Sequence, residues 1–145
     1  MAEDAGTRFT FHPTPIPGVI EVERHPRGDH RGRFARLFCA AEFAATGLLS
    51  ERPVQINLAT TARAGSVRGM HLQDPRPDGS GEAKLITCVT GRVFDVALDV
   101  RPGSLTFGQH HAIELSGDGT RSLLIPPGVA HGMQALEDAS TLLYL

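Results

Sequence analysis

One short stretch, "SVRGMHLQ" at positions 66–73, contains an arginine and a histidine three residues apart in a strand-like pattern. Alternation along a β-strand predicts that His71 shares a face with Val67 and Gly69, and that Arg68 lies on the opposite face. A proline-rich loop follows, so we expect His71 at the rim of a cavity. Imidazole is the side chain that titrates near neutral pH, which makes His71 a candidate for acid–base chemistry. The alternative is a histidine that only packs in the core or on the surface.

A second stretch, "IPPGVAHG" at 125–132, places a proline and a glycine in a tight turn before His131. This pattern resembles the second motif of the cupin superfamily, in which the histidine points into a β-barrel. The first cupin motif has two histidines one residue apart and then a glutamate, whereas this chain has Gln73 in the second place. Two histidines without a carboxylate make a poor site for a divalent metal. The adjacent His110 and His111 face opposite ways in a strand. We therefore expect no metal ion and no other cofactor.

A third stretch, "AKLITCVTGRVFDVALDV" at 83–100, predicts two neighbouring strands with polar residues among apolar ones. Lys84 shares a face with Ile86 in the first strand, and Asp95 shares a face with Asp99 in the second. A lysine on an apolar strand face is costly to bury unless an anion neutralises it. An inward Lys84 near a histidine could therefore stabilise an enolate or a phosphate. The alternative is a lysine whose amine reaches solvent from a sheet edge.

The elements that must position these residues are mostly short strands. Sixteen glycines and ten prolines divide the 145 residues into short segments, as is typical of an all-β domain. One short helix is expected over 40–49, with Gly47 at its C-terminal cap. The pattern predicts a single domain over 1–145, all-β, with a cupin-like jelly-roll barrel. The strand candidates are 19–25, 53–62, 66–73, 83–100, 110–116, 121–128, 130–137 and 140–145.

Composition excludes several classes of partner. The 14 basic and 16 acidic residues give a net charge of −2, which argues against a nucleic-acid or membrane partner. Cys39 and Cys88 are too few for a disulfide framework, so we expect both to be reduced. The first residues do not resemble a signal peptide, and no apolar run is long enough to span a bilayer. We expect a cytoplasmic protein.

Taken together in order, these stretches resemble the dTDP-4-dehydrorhamnose 3,5-epimerase family from about Val19 to Leu145. The blocks that carry the resemblance are "RGMHLQ", "VFDVALDVRPGSLTFG" and "IPPGVAHG", with "HRGRF", "VQINL" and "STLLYL" around them. The resemblance implies a cupin-like, metal-free homodimer that acts on a dTDP-linked 4-keto-6-deoxy sugar. The implied reaction is epimerisation at C3, C5 or both through an enolate.

The resemblance also implies roles for individual residues. His71 matches the family's general base, and Tyr144 matches the proton donor on the other side of the sugar. Lys84 matches the lysine near the 4-keto oxygen. The implied substrate-binding residues are Arg31, Phe34, Gln55, Asn57, Arg68 and His131, of which the two arginines would hold the diphosphate.

The chain departs from the family pattern in two places. Arg36 stands where the family commonly has a glutamate. The family continues beyond the tyrosine with a tail whose aspartate bonds to the base, whereas Leu145 is the last residue here. Asp95 or Asp99 is therefore a candidate to replace that aspartate. The alternative functions are a single-centre epimerase, a related ketoisomerase, a non-catalytic binder of sugar nucleotides and a metal-dependent cupin.

Overall fold

The computed structural model describes residues 7–47, 55–73 and 81–145. It contains one short α-helix, α1 (Ala40–Phe43), and twelve strands in these ranges. The strands are β1 (Phe9–Pro13), β2 (Ile20–Arg24), β3 (Arg27–Asp29), β4 (Gly32–Phe34), β5 (Asn57–Thr61), β6 (Val67–His71), β7 (Lys84–Thr90), β8 (Arg92–Asp99), β9 (His110–Ser116), β10 (Arg121–Ile125), β11 (Val129–Ala135) and β12 (Ser140–Tyr144).

Ten of these strands form two facing antiparallel sheets. The larger sheet has the order β1-β2-β10-β7-β12-β5, and the smaller has the order β6-β11-β8-β9. The main core lies between the sheets, where inward side chains of both interdigitate, among them Ile86, Val93, Leu123, Met133 and Leu142. This arrangement confirms the predicted all-β jelly roll with one short helix.

The outer face of the larger sheet is covered by the segment that contains α1. Phe43 of the helix packs edge-on against Phe9, and the pair joins Leu85 and Leu124 in a second core cluster. Gly47 adopts a left-handed conformation at φ 70° and ends this helical segment, as predicted. The α-helix is shorter than the predicted 40–49, because a 3₁₀ turn over Ala44–Thr46 replaces its second half. Positions 48 and 49 lie outside the described residues.

The sheet register brings one end of the barrel together, and we call this end the mouth. Lys84 at the start of β7 pairs with Ile125 at the end of β10. His71 at the end of β6 pairs with His131 near the start of β11. The loop over 100–109 and the turn over 126–128 lie at the mouth, as do residues 72–73 and 81–83. The turns at 117–120 and 136–139 lie at the opposite end, which we call the base of the barrel.

Three strands were not predicted from the sequence. β1 ends in Pro13 and forms the edge of the larger sheet, where a proline costs no ladder hydrogen bond. β3 and β4 form a separate hairpin of three residues each, which is too short to show an alternating pattern. Their pairing depends on contacts with the barrel rather than on periodicity.

Candidate active site

Three of the predicted residues meet inside the mouth. The ring centroid of His131 on β11 lies 5.7 Å from that of His71 on β6 and 5.9 Å from that of Tyr144 on β12. Both contacts are edge-to-face, so the buried His131 sits between the two other rings. His71 and Tyr144 come from different sheets. The fold therefore places a candidate base and a candidate acid on two sides of one buried imidazole.

The structure corrects the predicted direction of Arg68. His131 pairs with His71, and Met133 pairs with Arg68. Two residues of β6 therefore lie opposite a single residue of β11, so β6 carries one extra residue. His131 and Met133 share a face of β11, and their partners Arg68 and His71 therefore share a face as well. Simple alternation placed them on opposite faces because it cannot anticipate a bulge.

Gly69 explains why the bulge occurs there. Its φ is 104°, and a Cβ at this position would lie 2.6 Å from the carbonyl oxygen of His131. Only glycine fits such a close approach of two backbones. The "RGMH" sequence thus positions the base and the arginine together.

Burial and neighbouring charges set the protonation of His71. Burial lowers its pKa, the positive charges of Lys84 and His131 lower it further, and Glu82 acts in the opposite direction. The imidazole is therefore neutral at pH 7 and able to accept a proton.

The pKa of Tyr144 is shifted in the opposite direction from that of His71. Burial raises the pKa of its phenol to about 12, the negative charge of Asp95 adds to this, and Arg68 opposes it. The phenol is therefore protonated at pH 7 and able to donate.

Asn57 pairs directly with Tyr144 across β5 and β12, so it lies on the same face. Gln55 is exposed just before β5, at the mouth.

Lys84 lies at the mouth end of β7 on the inward face that also carries Ile86. Its side chain is only 13% exposed and its ammonium lies 3.3 Å from a carboxylate oxygen of Glu82. The burial favours an inward lysine over one that extends into solvent. Arg68 donates from Nε to Thr61 Oγ1 at 3.0 Å, which fixes it against β5.

The two buried aspartates of β8 have different partners from those expected. Oδ1 of Asp95 lies 2.7 Å from Nε2 of His131, so this carboxylate bonds to the pocket histidine and not to His71. Asp99 bonds to Arg101, Ser104 and Thr106 in the 100–109 loop. The expectation that one of them replaces a tail aspartate at His71 is wrong. The Asp95–His131 pair was not predicted, although an inward carboxylate in an apolar strand needs a partner.

Arg31 and Phe34 lie away from this cluster within one chain. They belong to the β3–β4 hairpin, and its Arg33 donates to the carbonyl oxygens of Gly117 and Asp118 at the base of the barrel. Arg31 forms an ion pair with Asp29, and Phe34 is 73% exposed. Their substrate-binding roles stay predictions.

Arg36, which departs from the family pattern, lies 3.5 Å from a carboxylate oxygen of Glu42 in α1.

Across the parts of the chain that the structure describes, no group of three or more histidine, cysteine or acidic side chains is arranged to hold a metal ion. The same residues include no helix that is long and apolar enough to cross a membrane.

Comparison with known proteins identifies the family. The model of the dTDP-4-dehydrorhamnose 3,5-epimerase family matches residues 13–145. The chain is 39% identical to the dTDP-4-dehydrorhamnose 3-epimerase of Streptomyces niveus, covering 93% of this chain and 63% of that protein. It is also 39% identical to the dTDP-4-dehydrorhamnose 3,5-epimerase of Methanothermobacter thermautotrophicus, covering 90% of this chain and 67% of that protein. The chain thus spans about two thirds of these relatives.

A solved structure agrees with the sequence comparison. The Legionella pneumophila dTDP-6-deoxy-D-glucose-3,5-epimerase, in complex with dTDP-4-keto-L-rhamnose, superposes with a TM-score of 0.84 at 34% identity. The match covers 94% of this chain and 70% of that one. By its sequence blocks, its two-sheet barrel and these matches, the chain belongs to the dTDP-4-dehydrorhamnose 3,5-epimerase family.

Proposed function

We propose that this chain epimerises a dTDP-linked 4-keto-6-deoxy sugar by proton transfer at carbons adjacent to the ketone. The observation that carries this proposal is the placement of the His71 and Tyr144 rings on two sides of the buried His131. Inversion of a carbon needs one group to remove a proton and another to return a proton from the opposite face. The two groups come from opposite sheets, which is the arrangement that such a reaction requires.

In the first step, Nδ1 or Nε2 of His71 takes the proton from C3 or C5. The electron pair of the broken C–H bond forms a C–C double bond, and the carbonyl electrons move to the C4 oxygen. The product of this step is an enolate and an imidazolium. Lys84 is a cation at the mouth that would stabilise the negative oxygen, and electrostatic stabilisation of this kind is usually the largest single contribution to catalysis.

In the second step, the phenol of Tyr144 protonates the same carbon from the other face and the ketone re-forms. The phenolate then recovers a proton from solvent, and the imidazolium releases one. Tyr144 is half-buried, and the fixed position of its ring on β12 makes it a directional donor. The diphosphate would bind Arg68, which shares the face of His71 and can make bidentate bonds.

We infer that the active unit is a homodimer. Phe34, Leu58, Val67 and Phe94 are large apolar side chains exposed on the hairpin, on β5 and on the outer face of the smaller sheet. Exposed apolar faces and unpaired edge strands of this kind are usually covered by a partner. A second copy would also supply the Arg31 and Phe34 of its hairpin to the site, which one chain cannot do for itself.

We make two smaller proposals, on localisation and on the class of substrate. We place the protein in the cytoplasm, because Cys39 and Cys88 are both free thiols. The substrate is a small nucleotide sugar rather than nucleic acid or a membrane.

A relative named as a 3-epimerase and a relative named as a 3,5-epimerase are equally identical to this chain. Experiment must therefore decide whether one or two carbons of the sugar are inverted.

The test is product analysis with dTDP-4-keto-6-deoxyglucose. After incubation, borohydride reduction and hydrolysis, the released sugars are identified by NMR against standards. We expect sugars inverted at C5, at C3 or at both, at a rate proportional to enzyme. Recovery of the starting configuration alone, with dTDP binding seen by calorimetry, would contradict the proposal and favour a non-catalytic binder.

A further inference from the structure

We propose that Asp95 is a positioning residue for the epimerisation, acting through His131 to hold that imidazole between the base and the acid. This inference rests on the proposed function. It concerns a carboxylate that touches neither of the reacting groups assigned above. Its burial, its single bond and the two rings that its partner contacts support this role.

The Asp95–His131 pair is isolated from solvent. Both side chains have 0% exposure, and Oδ1 of Asp95 lies 2.7 Å from Nε2 of His131. Asp95 sits on β8 diagonally across from His131 on β11, since the residue paired with His131 is Ala97. A buried charge that loses its partner is strongly disfavoured, so each member of the pair holds the other in place.

One polar atom of each member of the pair has no hydrogen-bond partner in the described part of the chain. Among the described residues, Nδ1 of His131 and Oδ2 of Asp95 are buried without a hydrogen-bond partner. Unsatisfied buried polar atoms are rare and are usually retained for a reason. The bond at Nε2 fixes which ring nitrogen is free, so Nδ1 is the nitrogen left available on the side of the ring away from Asp95.

Asp99 provides the contrast within the same strand. It lies four residues from Asp95 on the same inward face, and it is equally buried. Both of its oxygens are occupied: Oδ1 accepts from Arg101, and Oδ2 accepts from Arg101, Ser104 and Thr106. Asp99 therefore anchors a loop, whereas Asp95 has one partner and that partner contacts both reacting rings.

The charge of Asp95 also acts on Tyr144. Burial raises the pKa of Asp95 itself, and its bond with His131 acts in the opposite direction. Burial also raises the pKa of the Tyr144 phenol, the negative charge of Asp95 adds to this, and Arg68 opposes it. Asp95 thus helps to keep the acid protonated.

The test compares Asp95→Asn with the matched control Asp99→Asn. Asparagine keeps the size of the side chain and removes its charge. For Asp95→Asn we expect kcat to fall at least tenfold, with KM changed less than twofold. We also expect the basic limb of the pH–rate profile to move to lower pH, because the negative charge that raises the pKa of Tyr144 is removed. Asp99→Asn should reduce thermal stability while leaving the basic limb in place.

A second measurement does not depend on turnover. NMR titration of the Tyr144 ζ-carbon should show the pKa of Tyr144 falling in Asp95→Asn. If Asp95→Asn does not fold, the wild-type ¹⁵N-histidine spectrum should show a downfield, hydrogen-bonded Nε2 proton of His131. An unchanged pKa of Tyr144 in a folded Asp95→Asn, or the absence of that proton, would overturn the inference. If the wild type shows no turnover but the pKa of Tyr144 falls in Asp95→Asn, only the proposed function is refuted.

Discussion

At the scale of single residues, function depends on protonation states that the barrel imposes on ordinary side chains. His71 is the proposed base, and its pKa is lowered chiefly by burial, with Lys84 and His131 adding to the effect. A base works only when it is neutral, and it loses activity as the pH falls through its own pKa. The acidic limb of the pH–rate profile should therefore lie below about 6.5, the ordinary value for histidine. A limb above that value would contradict the assignment.

Replacing the base provides the matching residue test. His71→Asn keeps a polar side chain of similar size but cannot accept a proton at neutral pH. We expect kcat to fall at least about a hundredfold, the range expected for loss of a general base. Calorimetric affinity for dTDP should change less than twofold, because Arg68 still holds the diphosphate. Equal losses of binding and turnover would mean that His71 is structural.

At the scale of elements, the site depends on a bulge in β6 that gathers Arg68 and His71 on one face. Gly69→Ala should destabilise the fold by about 2–5 kcal/mol, because the positive φ costs about 1–2 kcal/mol and the clash of the added Cβ with the β11 backbone costs about 1–3 kcal/mol more. Gly65→Ala is the control, since its φ is 84° and nothing lies within 4 Å of the added atom. Its free energy of unfolding should fall only by the cost of the positive φ, about 1–2 kcal/mol. Urea unfolding measures both, and equal losses would show that the contact is unimportant.

The same elements show how far sequence reasoning extends. Alternation correctly placed Lys84 on the face of Ile86 and Asp95 on the face of Asp99, because β7 and β8 are long and regular. It left open whether Lys84 points inward or reaches solvent. It failed at β6, where one extra residue reverses the expected face of Arg68. It also gave no account of the β3–β4 hairpin, whose three-residue strands carry no periodic signal. The Asp95–His131 bond depends on a diagonal contact between two strands, and one sequence does not specify which strands are neighbours.

At the scale of the whole molecule, the proposed dimer explains why Arg31 and Phe34 lie at the base of their own barrel. If each site uses the partner's hairpin, two inactive variants should complement one another. Mixing His71→Asn with Arg31→Ala in equal amounts and allowing subunit exchange leaves one intact site in each mixed dimer. About a quarter of the wild-type site concentration should then be restored, as expected for a two-fold dimer. Failure to recover activity in mixed dimers, with both variants dimeric by light scattering, would show that the hairpin serves its own chain.

The central claim is that His71 and Tyr144 exchange protons with carbons adjacent to the ketone, and it is tested most directly in D₂O. Proton NMR of dTDP-4-keto-6-deoxyglucose with the wild-type protein should show the C3 or C5 signal disappearing as deuterium enters. The rate should follow enzyme concentration, and Tyr144→Phe should still exchange while forming little inverted product. Retention of both protons by the wild type, under conditions where dTDP binding is saturated, would contradict the account.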